Sequence, residues 1–153
     1  MERLGIWVGT WSVDSLTGRA GELVDALAER EIDVARVQET RWIGSWCRLF
    51  GAIGKRYELF WMGSKARTDG VGIFEAQKWV KSVVSVERYS ERVLVLKMVL
   101  GDCLLNVLTV YAPNSGKPEE EKGRFWNEVY HSVISIPQNE IVVCWRHEWS
   151  HWK

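Results

Sequence analysis

The 153-residue chain is 46% hydrophobic and 26% charged, enough apolar residue to bury one core and too much for a disordered chain. Its 20 Lys and Arg balance 20 Asp and Glu, so no global field draws in a polyanion, and any nucleic-acid contact must rest on a local patch. Cys47, Cys103 and Cys144 lack CxxC spacing, the start carries no basic-then-apolar leader, and no apolar run is long enough to cross a bilayer. The expectation is an intracellular protein, nuclear or cytoplasmic, without membrane association.

In chain order, Leu4 to Val13 sets Ile6, Val8, Thr10 and Ser12 against Trp7, Gly9, Trp11 and Val13, which predicts a strand buried on both faces. From about Thr17 to Arg30, Leu23, Val24, Leu27 and the small Ala20, Ala26 and Ala28 fit one helical stripe. The next strand begins at Ile32 and is broken by the polar Gln38-Glu39-Thr40, as where a strand end delivers side chains into a cleft. A β-α-β crossover makes the two strands parallel and brings Ser12 to Asp14 and Gln38 to Thr40 to one sheet edge. Arg41 to Lys55, rich in Gly, Trp and Arg, reads as a loop with one short helix at most.

Strands follow at Tyr57 to Met62, Gly70 to Glu75 and Val80 to Val86, with Lys65, Arg67 and Asp69-Gly70 forming a turn. Arg92 to Leu100 and Cys103 to Tyr111 alternate on either side of Gly101-Asp102, a hairpin signal. Pro118 and Glu119, Glu120 and Glu121 start a helix carrying Phe125, Trp126, Val129, Tyr130, Val133 and Ile134, closed by Pro137, and Glu140 to Cys144 is a last strand. Of ten tryptophans, Trp7 and Trp126 fall at core-compatible positions, whereas Trp145, Trp149 and Trp152 crowd the final residues.

Gly9-Thr-Trp-Ser-Val-Asp-Ser-Leu-Thr-Gly-Arg19, Asp33 to Thr40 with its Gln-Glu-Thr, Gly70-Val-Gly-Ile73, and Asn106 to Pro113 ending in Tyr-Ala-Pro resemble, in order and spacing, the endonuclease/exonuclease/phosphatase family. Within it the chain is similar to the apurinic-like endonuclease domain of non-LTR retrotransposons and to craniofacial development protein 2-like proteins. The resemblance implies an α/β fold, a partial four-layer α/β sandwich of two mixed sheets with outer helices, the second half of the domain missing. Residues 1–144 would be the incomplete domain and 145–153 a Trp- and His-rich tail.

The resemblance makes Glu39 the carboxylate that holds Mg²⁺ or Mn²⁺, a role that suits a hard cation and a phosphodiester. It makes Tyr111 the catalytic hydroxyl touching phosphate, and Ser12, Asp14 and Asn114 phosphate contacts. By themselves Glu39 also reads as a solvated strand-end carboxylate and Tyr111 as a ring capping the core. The departures matter as much. The family's Trp-Asn pair is Trp11-Ser12 here, and where its Gly-Asp-x-Asn follows the last strand this chain has Trp145-Arg146-His147-Glu148. Its Ser-Asp-His has no counterpart. Reverse translation of Trp145 to Trp152, read one nucleotide later, can spell Gly-Asp-Met-Asn, so the tail is compatible with a frameshift.

The reading that follows is the remnant of a Mg²⁺-dependent DNA endonuclease of retrotransposon origin, inactive as this chain because metal and water-activating groups act as a unit. The alternative is a noncatalytic nucleic-acid-binding module using Arg41, Lys55, Arg56, Lys65 and Arg67. A distant third is a Zn²⁺ hydrolase through His147-Glu148-Trp149-Ser150-His151, which matches His-Glu-x-x-His without a surrounding helix or third ligand. An open sheet edge and a small core further predict self-association and marginal stability.

Overall fold

A computed structural model of the chain describes residues 6–13, 15–66 and 68–144. The first sheet has the order β1-β2-β5-β4-β3, built from β1 (Val8–Ser12), β2 (Val34–Gln38), β3 (Ser45–Phe50), β4 (Tyr57–Met62) and β5 (Val71–Ala76). The second has the order β6-β7-β8-β9, from β6 (Val83–Ser90), β7 (Val93–Leu100), β8 (Cys103–Val110) and β9 (Ile141–Cys144). Both sheets are mixed. β1 and β2 pair in parallel, as do β8 and β9, and the other pairings are antiparallel.

Strand alternation sorts the apolar residues into layers. Ala35 and Val37 of β2, Leu59 of β4 and Phe74 of β5 face α1 (Ala20–Glu29), which buries Ala20, Val24 and Leu27 at helical spacing. Val34, Val71 and Ile73 point the other way and meet Leu94, Leu96, Met98, Leu105 and Val107 between the sheets. On the far side of the second sheet, Val93, Val95, Leu108 and Val110 cover Phe125 of α3 (Glu119–Ile134). Helix, sheet, sheet, helix is therefore the layer order, and each fully buried aliphatic side chain contributes about 1.5–3 kcal/mol relative to exposure. Glu119, Glu120 and Glu121 sit in the first turn of α3, where the positive end of the helix dipole favours them.

Three sequence expectations need correction. Residues 45–50, read as loop, form β3; every residue but Phe50 is exposed, so this edge strand shows no in-out alternation to detect. Gln77–Val80 is a short helix, α2, and the strand expected from Val80 begins at Val83. β1 is an edge strand among the described residues, so it is only partly buried and Trp7 just before it is 58% exposed. The Trp- and His-rich tail, with its His-Glu-x-x-His match, lies outside the described residues.

One core residue opposes the packing around it. Glu75 is fully buried, and neither carboxyl oxygen has a hydrogen-bond partner among the described residues. Burial, and then the charge of nearby Asp33, pushes its pKa up to about 8. Because the folded value lies above the ordinary one, the folded chain must hold a proton that the unfolded chain releases. The stability that this proton contributes is present in full below about pH 4.5, declines as pH rises above that, and is gone past about pH 8. Glu75→Met, of similar length without the carboxyl, is expected to melt higher than the parent at pH 7.5, with the gap shrinking toward zero near pH 4.5. Melts across this range check it.

Candidate functional site

The site begins where β2 ends. Val34, Arg36 and Gln38 face the second sheet, and the Gln38 amide donates to the Val110 carbonyl at 2.8 Å, binding the end of β2 to the end of β8. Val13 N donates to the Gln38 carbonyl at 3.0 Å and Leu16 N to that of Thr40 at 3.0 Å, so the chain leaving β1 is laced to the same edge. Thr40 N and Arg41 N then donate to the Gly70 and Asp69 carbonyls at 3.3 and 2.8 Å.

Backbone strain collects here. Glu39, Arg41 and Asp69 have φ of 59°, 58° and 58°, a left-handed conformation that costs a side-chain-bearing residue roughly 1 kcal/mol or more. Gly70, at φ 98°, is required for a second reason: a Cβ there would collide with the Thr40 hydroxyl. The turn at Glu39 places its half-buried carboxylate beside Tyr111, whose phenol donates to Glu39 Oε1. Burial, then the hydrogen bond to Glu39 and the charges of Glu39 and Asp69, push the Tyr111 pKa up to about 12, with Arg92 opposing them.

Arg92 escaped the sequence reading, yet it organises the site. Buried at the start of β7, it donates from Nη1 to the Tyr111 carbonyl at 3.0 Å. Its Nη2 lies 3.3 Å from Asp69 and 3.7 Å from Glu121, and its guanidinium sits 5.1 Å from the Tyr111 ring centroid. A single cation thereby joins the loop entering β5, the end of β8 and the first turn of α3. The available signal was an arginine directly before the apolar run Val93-Leu-Val-Leu96.

Of the residues singled out from the sequence, Glu39 and Tyr111 are in contact, and Ser12 is the backbone register partner of Gln38 at the same edge. Asp14 lies outside the described residues. Asn114 is exposed three residues past Tyr111, and its Oδ1 accepts Gly116 N at 3.0 Å within a turn. The basic residues divide. Arg41 and Lys65 adjoin the Glu39 end of the first sheet, Arg67 is outside the described residues, and Lys55 and Arg56 lie at the opposite end, lining a groove of about 1000 Å³ with Asp33, Lys78 and Trp79. The four described residues do not form one patch, because Tyr57↔Ala76 and Met62↔Val71 are opposite ends of the β4–β5 ladder.

Chemically, Glu39 offers the hard carboxylate oxygen that Mg²⁺ or Mn²⁺ prefers, one carboxylate where a tight site has several, and Tyr111 holds it by a hydrogen bond. Among the described residues no group of three or more His, Cys, Asp or Glu could together hold a metal. A single carboxylate fits a cation that keeps most of its water.

Two substitutions probe this arrangement. Arg92→Ala leaves Asp69 and Glu121 without their cation in a half-buried setting and is expected to cost about 3–5 kcal/mol in denaturant unfolding. Burial and the charge of Asp33 also push Tyr57 up to about 12, so two phenols titrate late. Tyr111→Phe is expected to remove one of them from an ultraviolet phenolate titration.

No family model matches the chain. Over 138 residues it is 22% identical to Craniofacial development protein 2 of Bos taurus, covering 88% of this chain and 22% of that protein. The Tragulus javanicus protein of the same name matches at 22% identity over 23% of its length. The chain thus spans roughly a fifth of the curated relatives it matches. Among solved structures, an AP endonuclease from Archaeoglobus fulgidus superposes with a TM-score of 0.60 at 20% identity, over 88% of this chain and 53% of that one. A 3′-5′ exonuclease from Neisseria meningitidis does so at 0.54 and 19% identity, over 82% and 50%. The chain therefore has a low sequence likeness to the first pair and shares with the second the two-sheet α/β fold that carries Glu39 and Tyr111 at one end.

Proposed function

We propose that the chain descends from a Mg²⁺-dependent DNA endonuclease of retrotransposon origin, and that in its present form it binds a divalent cation weakly at Glu39 and nucleic-acid phosphate beside it without cleaving. The observation that carries this reading is the pairing of Glu39 with Tyr111 at the joined ends of two sheets. A bound Mg²⁺ would neutralise phosphodiester charge there. The remaining work falls to the protein: Tyr111 presents a phenol to a phosphate oxygen, Arg92 holds that ring in place, and Gln38 fixes the separation of the strand ends.

The second carboxylate nearby, Asp69, is committed to Arg92. The slot after β9 holds Trp145-Arg146-His147-Glu148 in place of an Asp and an Asn that would handle the attacking water. Phosphodiester hydrolysis needs metal and water-activating groups together, so binding without turnover is the expected behaviour.

Incubation of supercoiled plasmid with Mg²⁺, with Mn²⁺ and with chelator tests the proposal. It expects no nicking above that of Glu39→Ala, together with a salt-sensitive gel shift strengthened by Mg²⁺ in the parent and not in Glu39→Ala. Mg²⁺-dependent nicking abolished by Glu39→Ala would overturn the inactivity. A shift indifferent to Mg²⁺, salt and Glu39 would overturn the site.

A further binding mode has its own observation. Among the described strands β9 pairs only with β8, and Ile141 and Val142 on it are exposed. We propose that this edge supports self-association, which Ile141→Lys is expected to reduce in sedimentation equilibrium.

A further inference from the structure

The loop that leaves the site sets Trp42 against the helix-side core and then turns outward. From Glu39 it runs through Arg41 and Trp42 into β3, whose first residue Ser45 pairs with Met62, as Met62 pairs with Val71 and Val71 with Gln38. The start of β3 and the Glu39 carboxylate therefore lie along one edge of the first sheet, three strand steps apart, or roughly 14 Å at the usual spacing.

On the outer face at that end, tryptophans replace the expected polar side chains. Trp46 and Trp61 are register partners across β3 and β4, so they share a face. Trp61 is backed edge-on by Trp42 at 4.9 Å between centroids, and Trp42 lies 5.9 Å from Phe50. Trp46 stands out from this base, 69% exposed. Two residues on and on the same face, exposed Arg48 lies over Phe50 at 5.1 Å, and it has no carboxylate within ion-pair distance among the described residues.

The strand is also braced from the other sheet. Arg88 Nε donates to the Trp61 carbonyl at 3.1 Å and Nη2 to the Trp46 carbonyl at 3.1 Å. An exposed indole on a fixed backbone, beside a cation without an acidic partner among the described residues, offers a stacking face and a phosphate contact together. Exposed Lys65 occupies the turn after β4 at the same sheet edge. Positive groups flanking an aromatic face complement an unpaired nucleic-acid strand, whose bases present π-faces that a duplex hides.

We infer that Trp46 and Arg48 form a stacking platform for single-stranded nucleic acid, receiving a base of a strand whose backbone passes the Glu39–Tyr111 edge. The inference rests on the nucleic-acid reading above but needs no metal, so it is tested in chelator. Fluorescence anisotropy with a labelled oligothymidylate and with a duplex of equal length is read at low and at higher salt for the parent, Trp46→Ala, Trp46→Phe and Arg48→Ala. Thermal melts confirm that the exposed substitutions leave the fold intact.

Trp46→Ala is expected to weaken the oligothymidylate about tenfold, the loss of one stacked base, while changing duplex binding less than twofold. Trp46→Phe should recover most of the loss, and Arg48→Ala should weaken binding and flatten its salt dependence. Equal affinity of parent and Trp46→Ala, equal losses on strand and duplex, or no binding of oligothymidylate by the parent would each overturn the platform. So would a dimer that Trp46→Ala turns to monomer with no change in oligothymidylate affinity, which would make the face a contact between copies. Failure of the Mg²⁺ response at Glu39 alone would leave these outcomes readable and would count against the metal site only.

Discussion

The Arg92 guanidinium is the constraint on which the functional end of the molecule depends. The sheets are held together through most of their length by apolar side chains, which fix spacing but not the orientation of polar groups at the rim. Arg92 supplies that orientation with a carbonyl, two carboxylates and a ring face around one planar cation. Asp69 is held in a left-handed turn that its ion pair helps to offset, and that turn receives Arg41 N. The strain at Glu39, two residues before Arg41, is thus held by a network anchored in the other sheet and in α3. Strain of this kind persists where surrounding contacts over-determine it, and it collects where side chains are aimed for a purpose.

At its two ends the first sheet handles buried charge differently. At the Glu39 end, Glu39 has the Tyr111 phenol and Asp69 the Arg92 guanidinium. At the other end, Asp33 is satisfied by Trp7 N at 2.7 Å, Trp79 Nε1 at 3.0 Å and Lys78 Nζ at 3.3 Å, while nearby Glu75 has nothing. Burial without partners makes Glu75 a stability cost that grows with pH, and no contact to the site offsets it.

Much of the fold was legible because its periodicities are strong. The opening strand, helix and strand, the hairpin through Gly101-Asp102 and the helix after Pro118 follow from period 2, period 3.6, a turn pair and a Pro-led acidic first turn. The edge strand β3 was not, since an element exposed on both faces and rich in Gly, Trp and Arg carries no burial pattern. Trp7 looked like core because alternation says which residues share a face, not whether a neighbour covers that face. Glu39 and Tyr111 are 72 residues apart, so no spacing rule could join them; motif resemblance singled out each, and the contact between them came from the structure. Arg92 was passed over because a charged residue at a strand start ordinarily reads as solvated, and only the convergence of three elements makes it a brace.

The central claim is that Glu39 is the cation-holding carboxylate of this fold. Titration with Mn²⁺, followed by the paramagnetic resonance of the free ion, tests it most directly because it needs neither nucleic acid nor turnover. The account predicts one weak site in the parent, retained in Tyr111→Phe and lost in Glu39→Ala. Undiminished Mn²⁺ uptake by Glu39→Ala would contradict it.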